Sequence, residues 1–391
     1  MGNYNSYTQY AVAFNTAMYP INGSNNTTGS TGFAQTTFGN PDVKWETTAT
    51  TNIGIDATVF KGLSLNLDIW QRVTSDMLYP KQLPLIYGTA STPSINIGEM
   101  KNIGYDITLG YTNSVLNGDL HYSADLVFSH YKNTLTKLTD NAGDFYAGSA
   151  YREMIYTRTQ TGRAFPEFFG YVVEGIFQTQ DEVDAWPKAF GSTGTYNKPG
   201  CFKYKDVDGN GYIDANDRTY IGSPHPKFTA GLSLNVDYKG IFLSATFYSS
   251  YGNDVINYTS RFIDYTQFES GKSHRRLYES WGSPYLNGDN SKATMPIIYQ
   301  NDTMHQQPST AFVEDGSFLR MKTFRIGYDV NRLLKNKMNS LQIYFQGSNL
   351  FTLTKYTGLD PEIAGAGINM GVDQGAWPTP KQFMFGITFG L

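Results

Sequence analysis

The feature that most constrains this chain is a two-residue hydrophobic period, repeated in stretch after stretch of about ten residues. Leu63, Leu65, Leu67 and Ile69 alternate with Ser64, Asn66, Asp68 and Trp70. The stretch before it sets Ile53, Ile55, Ala57 and Val59 against Asn52, Gly54, Asp56 and Thr58. Successive side chains of a strand point to opposite faces, so each stretch makes a strand with one apolar and one polar face. Lys61-Gly62 between the two reads as a hairpin turn, because glycine takes the positive φ that tight turns require. The pattern recurs at Ile103, Tyr105, Ile107, Leu109 and Tyr111 and, past Asn117-Gly118, at Tyr122, Ala124, Leu126 and Phe128. It continues from Phe228 to Tyr238, turns at Lys239-Gly240, and runs on through 241–251, 318–330 and 341–352. It ends at Phe383, Phe385, Ile387, Phe389 and Leu391. With an element at 168–178, this predicts about ten antiparallel strands. One parity break stands out. Leu319 and Met321 occupy odd positions, whereas Phe324, Ile326 and Tyr328 occupy even ones, which predicts a β-bulge near Lys322-Thr323.

Strands of a soluble sandwich also alternate, so the connections and the composition have to separate the two cases. Lys61-Gly62, Asn117-Gly118 and Lys239-Gly240 are minimal, whereas 79–100, 134–166, 178–225, 253–315 and 353–379 are long. Short turns at one end and long loops at the other are the habit of outer-membrane barrels. Charged residues make up 16% of the chain, against about 25% in a typical soluble domain, and aromatic residues make up 15%. Mean hydropathy is nonetheless −0.39, because Asn, Thr, Ser and Gly fill the polar positions. An apolar, aromatic outer face over a neutral polar interior needs that mixture. The expected fold is therefore all-β: transmembrane barrel strands across 48–391 with long extracellular loops, after a polar loop segment at 1–47. No stretch approaches the roughly 18 apolar residues of a membrane-spanning helix. A net charge of −4 gives no sign of a nucleic-acid partner, and Cys201, the only cysteine, allows neither an intrachain disulfide nor a cysteine metal cluster. The first residues lack a basic start followed by an apolar core. A barrel must be exported, so Met1 is expected to fall inside a longer protein.

Several segments resemble a known family. Asn40-Pro41-Asp42-Val43-Lys44-Trp45-Glu46-Thr47-Thr48 is similar to the NP-x-L-KWET lead-in of a barrel strand in SusC/RagA-type TonB-dependent transporters of Bacteroidetes. Gly170-Tyr171-Val172-Val173-Glu174-Gly175-Ile176-Phe177-Gln178 resembles that family's GYVxDGIFQ segment, and Val313-Glu314-Asp315-Gly316-Ser317-Phe318-Leu319-Arg320-Met321-Lys322 its EDGSFLRLK run. Gly347-Ser348-Asn349-Leu350-Phe351-Thr352 followed by Tyr356-Thr357-Gly358-Leu359-Asp360-Pro361-Glu362 is similar to its NLFT…Y-x-G-x-DPE ending. Each segment alone is weak, but they occur in family order over nearly the whole chain. The resemblance implies the C-terminal portion of a 22-stranded, plugged barrel. It further implies import of oligosaccharides or peptides across the outer membrane of a Gram-negative bacterium. The implied partners are a SusD-like surface lipoprotein and, through a missing N-terminal part, TonB-ExbB-ExbD. About ten strands leave two unpaired edges, which lipid does not tolerate, so this segment alone is expected to be inactive in transport. The final strand, ending on an apolar residue, also looks like the signal read by the outer-membrane assembly machinery. Family members often end in Phe, and Leu391 departs from that.

The sharpest local motif is Asp206-Val207-Asp208-Gly209-Asn210-Gly211-Tyr212-Ile213-Asp214-Ala215-Asn216-Asp217, which matches the D-x-[DN]-x-[DN]-G loop of EF-hands. Asp206, Asp208 and Asn210 would supply side-chain oxygens and Tyr212 its carbonyl. Asp214 would bind directly or through water, and Asp217 holds the twelfth position. A hard cation, Ca²⁺, suits such a set, and its role would be to pin a long external loop. Two departures count against it: the twelfth residue is Asp rather than Glu, and no helices flank the loop. The competing reading is a turn with no ion, since Asp, Asn and Gly favour turns on their own. No organic cofactor is expected.

Catalytic chemistry is not indicated. His121, His130, His225, His274 and His305 are scattered and read as polar surface or lumen residues, and G-x-S-x-G, HExxH and P-loop motifs are absent. The chain is read as no enzyme. Tyr151, Phe168, Phe169, Tyr251, Tyr258, Trp281 and Trp377 fall in or near external loops and are candidates for stacking on a sugar or peptide cargo. The competing uses are an interfacial girdle and packing within the loops. A surface adhesin or ligand-binding β protein without transport is the alternative function.

Overall fold

The computed structural model describes residues 9–20, 29–80, 93–138, 145–189 apart from 149, 152 and 153, 196–265, 272–299, 304–333, and 340–390 apart from 364 and 366. One ten-stranded antiparallel sheet dominates it. We number its strands β1 (Thr47–Phe60), β2 (Leu63–Pro80), β3 (Ser94–Val115), β4 (Leu120–Lys137), β5 (Phe228–Tyr238), β6 (Ile241–Tyr251), β7 (Phe318–Asp329), β8 (Ser340–Ser348), β9 (Thr352–Thr354) and β10 (Gln382–Gly390). The order across the sheet is β10-β8-β7-β6-β5-β4-β3-β2-β1, and β9 pairs with β7 beyond the end of β8. Leu391 and residues 1–8, both covered by sequence expectations, fall outside the described residues.

The register keeps the two faces apart across the whole sheet. Ala57, Leu65, Leu109, Leu126, Leu232, Phe247 and Met321 sit side by side on successive strands. The next row is Thr58, Ser64, Gly110, Asp125, Ser233, Thr246, Thr323, Ser348 and Gln382. A one-residue slip anywhere would put an apolar strand face among polar ones. The expected bulge is what prevents this in β7. Thr246 faces Thr323 and Phe247 faces Met321, so Lys322 is the extra residue. Its carbonyl accepts the Asn349 N–H at 3.0 Å. The neighbouring strand breaks at the same level, between β8 and β9, where the sequence suggests one continuous strand to Thr352.

Polar side chains on the inner face bond across strands: Asn52 to Asp68 at 2.8 Å, Asn66 to Asp56 at 2.7 Å, and the Trp70 indole to Asp106 at 2.7 Å. On the outer face Ile53 is 72% exposed, Phe385 83% and Phe389 66%. In water each such side chain would forgo roughly 1.5–3 kcal/mol of burial, and soluble monomers rarely expose contiguous apolar surface of this extent. Against hydrocarbon that penalty vanishes.

Connections alternate strictly. β1–β2, β3–β4, β5–β6 and β7–β8 turn at one end, and the long segments join strands at the other. At Lys239-Gly240 both φ values are positive, 51° and 87°, the twist-matched hairpin turn. Gly62 is obligatory: a Cβ there would come within 2.0 Å of the Thr112 carbonyl oxygen.

The long connections fold into a cap with its own core. Phe168, Ile256, Phe312, Tyr156 and Ile213 are essentially buried within it. The segments Asp254–Asn257, Val313–Asp315 and Val372–Asp373 form one small sheet drawn from connections far apart in sequence. Tyr171 and residues 308–310 exchange backbone bonds of 2.8 and 2.9 Å. The element expected at 168–178 therefore belongs to the cap rather than the wall: Glu167–Gly170 and Val173–Ile176 pair within separate cap sheets. Within the segment expected as a polar loop, 1–47, Gln9–Pro20 and Gly29–Thr37 pair as an antiparallel ribbon.

Candidate functional site

Where the wall meets the cap, the polar face carries a cavity of about 260 Å³ lined by Tyr131, Tyr248, Phe318, Asn253 and Glu362, among others. One of its lining residues, Glu362, belongs to an ion cluster. Arg320, 3% exposed on β7, reaches Asp360 at 2.5 Å and Glu362 at 2.6 Å, and Lys322 reaches Glu362 at 2.6 Å. Asp360 also accepts the N–H groups of Glu362 and Thr379, both at 2.9 Å. Burial works against its charge, but the Arg320, Thr379 and Glu362 donors outweigh that and hold its carboxyl below the usual range. The cluster ties the last long connection to the wall. Its residues stand 40 or more apart in sequence, so spacing gives no hint of it.

The acidic loop is built by its own side chains. Asp206 accepts the N–H groups of Gly209 and Gly211 at 2.7 and 2.8 Å. Asp217, fully buried, accepts those of Val207 and Asp214, both at 2.7 Å. The Gly211 N–H foremost, with that of Gly209, lowers the Asp206 carboxyl below its ordinary value against an opposing effect of burial. Oxygens of Asp206, Asp208 and Asp217 converge within 4.8 Å of one another. Oxygens around one calcium ion at about 2.3–2.6 Å can be no farther apart than about 5 Å, so this trio fits. Two further predicted ligands also accept backbone N–H groups. The Asn210 side-chain oxygen accepts the Tyr212 N–H at 2.8 Å, and Asp214 accepts the Asn216 N–H at 2.7 Å as the cap of a short helical turn.

The seven aromatic candidates divide by burial. Phe168 is 0% exposed and Tyr258 6%; both are cap core, because the interlocked connections need large apolar side chains there, and neither keeps a face for a ligand. Tyr151 is half-buried against the rings of Tyr156 and Tyr258. Trp281 donates its indole N–H to Gln178 at 3.2 Å. Phe169 is half-buried, Tyr251 is 52% exposed and Trp377 is 97% exposed. None of the seven lines the junction cavity. Its aromatic residues are Tyr131, Tyr248 and Phe318, which read in sequence as ordinary strand positions. His305, expected at a surface or in the lumen, is fully buried in the cap beside Phe202 and Tyr196.

No family model matches the chain. Over 371 residues, 91% of the chain, it is 30% identical to TonB-dependent receptor P3 of Formosa agariphila. It is 25% identical over 356 residues to the TonB-dependent receptor SusC of Bacteroides thetaiotaomicron. The chain is a relative of the SusC-like TonB-dependent receptors. It spans about a third of their length, 35% and 32% respectively. The fold agrees: the structure of the RagAB peptide transporter superposes with a TM-score of 0.75 at 27% identity, over 99% of this chain and 39% of that one. The RagAB peptide importer in its open-open state gives 0.70 at 26% identity. TonB-dependent receptors are outer-membrane transport proteins rather than enzymes. No helix among the described residues is long and apolar enough to cross a membrane, which says nothing of crossing by strands.

Proposed function

We propose that this chain forms part of the barrel wall and the outer cap of a SusC-like transporter in the outer membrane of a Gram-negative bacterium. Its cargo would be oligosaccharides or peptides, captured with a SusD-like surface lipoprotein and driven inward through TonB-ExbB-ExbD. The observation that carries the reading is the register: predominantly apolar rows alternate with predominantly polar ones across the paired strands, with every long connection at one end. Such a sheet suits a boundary between lipid and a wet lumen. On this reading the cap faces outward. The junction cavity, Trp377 and Tyr251 meet cargo, and Tyr151, Phe169 and Trp281 give secondary contacts. The acidic loop would hold a structural Ca²⁺ through Asp206, Asp208 and Asp217.

Among the described residues, β1 and β10 each pair on one side only. Lipid leaves no donor or acceptor for such edges, so the segment alone is proposed to be transport-incompetent and to need further strands. The test is uptake of fluorescently labelled oligosaccharide and peptide pools by cells making the whole outer-membrane protein, with and without a protonmotive uncoupler, together with co-purification of a lipoprotein. Uncoupler-sensitive uptake is expected. Surface binding with no uptake would instead favour the adhesin alternative.

A further inference from the structure

On the side of the long connections, the apolar face of the wall ends in aromatic rings with cations just beyond them. β5 spans eleven residues between Phe228 at the cap and Tyr238 at the short turn. At roughly 3.3 Å per residue and a tilt of about 40° it rises roughly 25 Å, the height of a barrel's apolar band. Phe228 therefore stands at the outer boundary of that band. Its ring centre lies 5.0 Å from that of Phe128, Phe128 stacks on Tyr105 at 6.1 Å, and Tyr105 meets the His130 ring at 5.2 Å. Aromatic side chains gather at the level where hydrocarbon gives way to headgroups.

Beyond these rings the same face turns basic. Lys132 is the next residue on that face after His130. Lys101 stands diagonally across from it, because Ile103 pairs with Lys132 and Lys101 with Thr134. Such diagonal neighbours are roughly 7–8 Å apart at the backbone. β4 outruns β5 here, since its pairing with β5 stops at Ser129, opposite Thr229. The step leaves a cavity of about 380 Å³ between the β4 edge and the cap, lined by His130, Lys132, Thr134, Arg163 and Lys227 among others. His130 donates from Nδ1 to the Lys227 carbonyl, which fastens the two sides of this notch together.

The acids around the notch are already engaged. Glu167 pairs with Arg163. Glu99 stands opposite Lys137 and accepts the Thr136 hydroxyl at 2.7 Å. Among the described residues Lys101 and Lys132 make no ion pair, and Lys227 acts on Asp254 only from a distance. Lys132 and Lys227 are exposed. Three ammonium groups without a paired carboxylate thus gather in and beside one notch. An anion there relieves their mutual repulsion, and the aromatic rings mark where an apolar tail on that anion would lie.

We infer that the notch binds the phosphate of an outer-leaflet lipid, whose acyl chains run down over Phe128 and Phe228. A phosphate monoester carries nearly two negative charges at neutral pH, so phosphorylated lipid A matches three ammonium groups better than a zwitterionic headgroup does. The inference rests on the barrel-wall reading for which face meets lipid, and it is independent of the cargo.

The experiment titrates the whole outer-membrane protein, purified in neutral detergent, with lipid A bearing its phosphates and with the dephosphorylated lipid, and counts bound lipid by native mass spectrometry. Each lysine near an anionic surface contributes about fivefold to binding, so the phosphorylated lipid should bind about tenfold or more tightly than the other. The preference should weaken as salt rises. Lys101→Gln combined with Lys132→Gln should remove most of it, whereas Lys61→Gln, at a short turn on the far end of the wall, should leave it intact. Equal affinity for the two lipids would overturn the inference, and that comparison needs no variant to fold. An equal loss in Lys61→Gln would reduce the preference to overall charge and overturn it as well. Displacement of the lipid by millimolar inorganic phosphate would make the notch a free-ion site and refute the lipid assignment. Uncoupler-sensitive uptake without any phosphate preference would end this inference and spare the importer. Phosphate-dependent lipid binding in a protein without uptake would do the reverse.

Discussion

Arg320→Met tests whether the last long connection is held to the wall by charge. The side chain is 3% exposed and Asp360 is 10% exposed, so the substitution leaves a nearly buried carboxylate without its guanidinium. Removing one partner of a buried pair typically costs about 3–5 kcal/mol. The lower end applies, because Asp360 keeps the N–H groups of Glu362 and Thr379, and Glu362, 36% exposed, keeps Lys322 and its contact with solvent. A loss of roughly 3 kcal/mol raises the released population of the 355–380 connection by roughly a hundredfold. Trypsin cleavage at the flanking Lys355 and Lys381 reads that population when opening is fast relative to cutting. The whole outer-membrane protein should be cut faster in the variant by up to that factor. Arg320→Met combined with Asp360→Leu should recover much of the loss, because the orphaned charge goes too. Cleavage of Arg320→Met at the unmutated rate would refute the reasoning and reduce the cluster to a crossing of surface side chains.

Further outcomes follow from the same geometry. Leu232→Arg, in the apolar row, should cost about 2–4 kcal/mol in vesicle-based urea unfolding if it faces the bilayer midplane, whereas its neighbour Ser233→Arg should cost far less; equal losses would void the face assignment. Deleting Lys322 alone removes the extra residue and leaves Met321, Thr323 and Phe324 in regular alternation, so the protein should still assemble, whereas deleting Lys322 and Thr323 together throws Phe324, Ile326 and Tyr328 onto the polar face, so outer-membrane levels should collapse. A calcium chelator should speed proteolysis within 206–217, and Asp208→Asn should abolish that sensitivity; chelator-insensitive cutting of the unmutated protein would favour the ion-free turn. In the absence of calcium, the lowered carboxyl of Asp206 stabilises the loop above its unfolded pKa and ceases to do so as pH falls through the folded one. Protease sensitivity there should therefore rise only below about pH 4 and stay flat above it.

The wall was legible in the sequence because its information is local. Period two, a glycine at each tight turn and a single parity break are readable over a dozen residues, and even the bulge at Lys322 follows from which positions are apolar. The cap was not legible, because its information is long-range. Phe168 and Phe169 are adjacent and chemically identical, and only the strand pairing sends the first into the core and leaves the second under two arginines. Arg320 and Asp360 were visible as parts of two family-like motifs, yet nothing in either motif says that they touch. The acidic loop falls between these cases. Its spacing brings Asp206, Asp208 and Asp217 together, and the same side chains, with Asn210 and Asp214, accept N–H groups of their own backbone, the habit that makes Asx residues turn-formers.

Wall and cap answer to different solvents, and that decides what each can do without the rest of a barrel. The cap buries Tyr156, Phe168, Ile213, Ile256 and Phe312 against one another, so its core is the kind that water stabilises. The wall has no such core. Nearly every residue of β1 and β10 is exposed, and the apolar row gains nothing from folding until lipid covers it. Its hydrogen-bond ladders hold between paired strands but stop at two open edges. In water the exposed apolar face would drive aggregation, and in lipid the edges would be unsatisfied. Only closure by further strands removes both problems at once. The cap adds a third constraint, because the 138–227 and 252–317 connections are interlocked through the Tyr171 and Pro308 backbones. In the folded structure β4 through β7 are therefore tied to one another at their outer ends, and the open edges lie at β1 and β10.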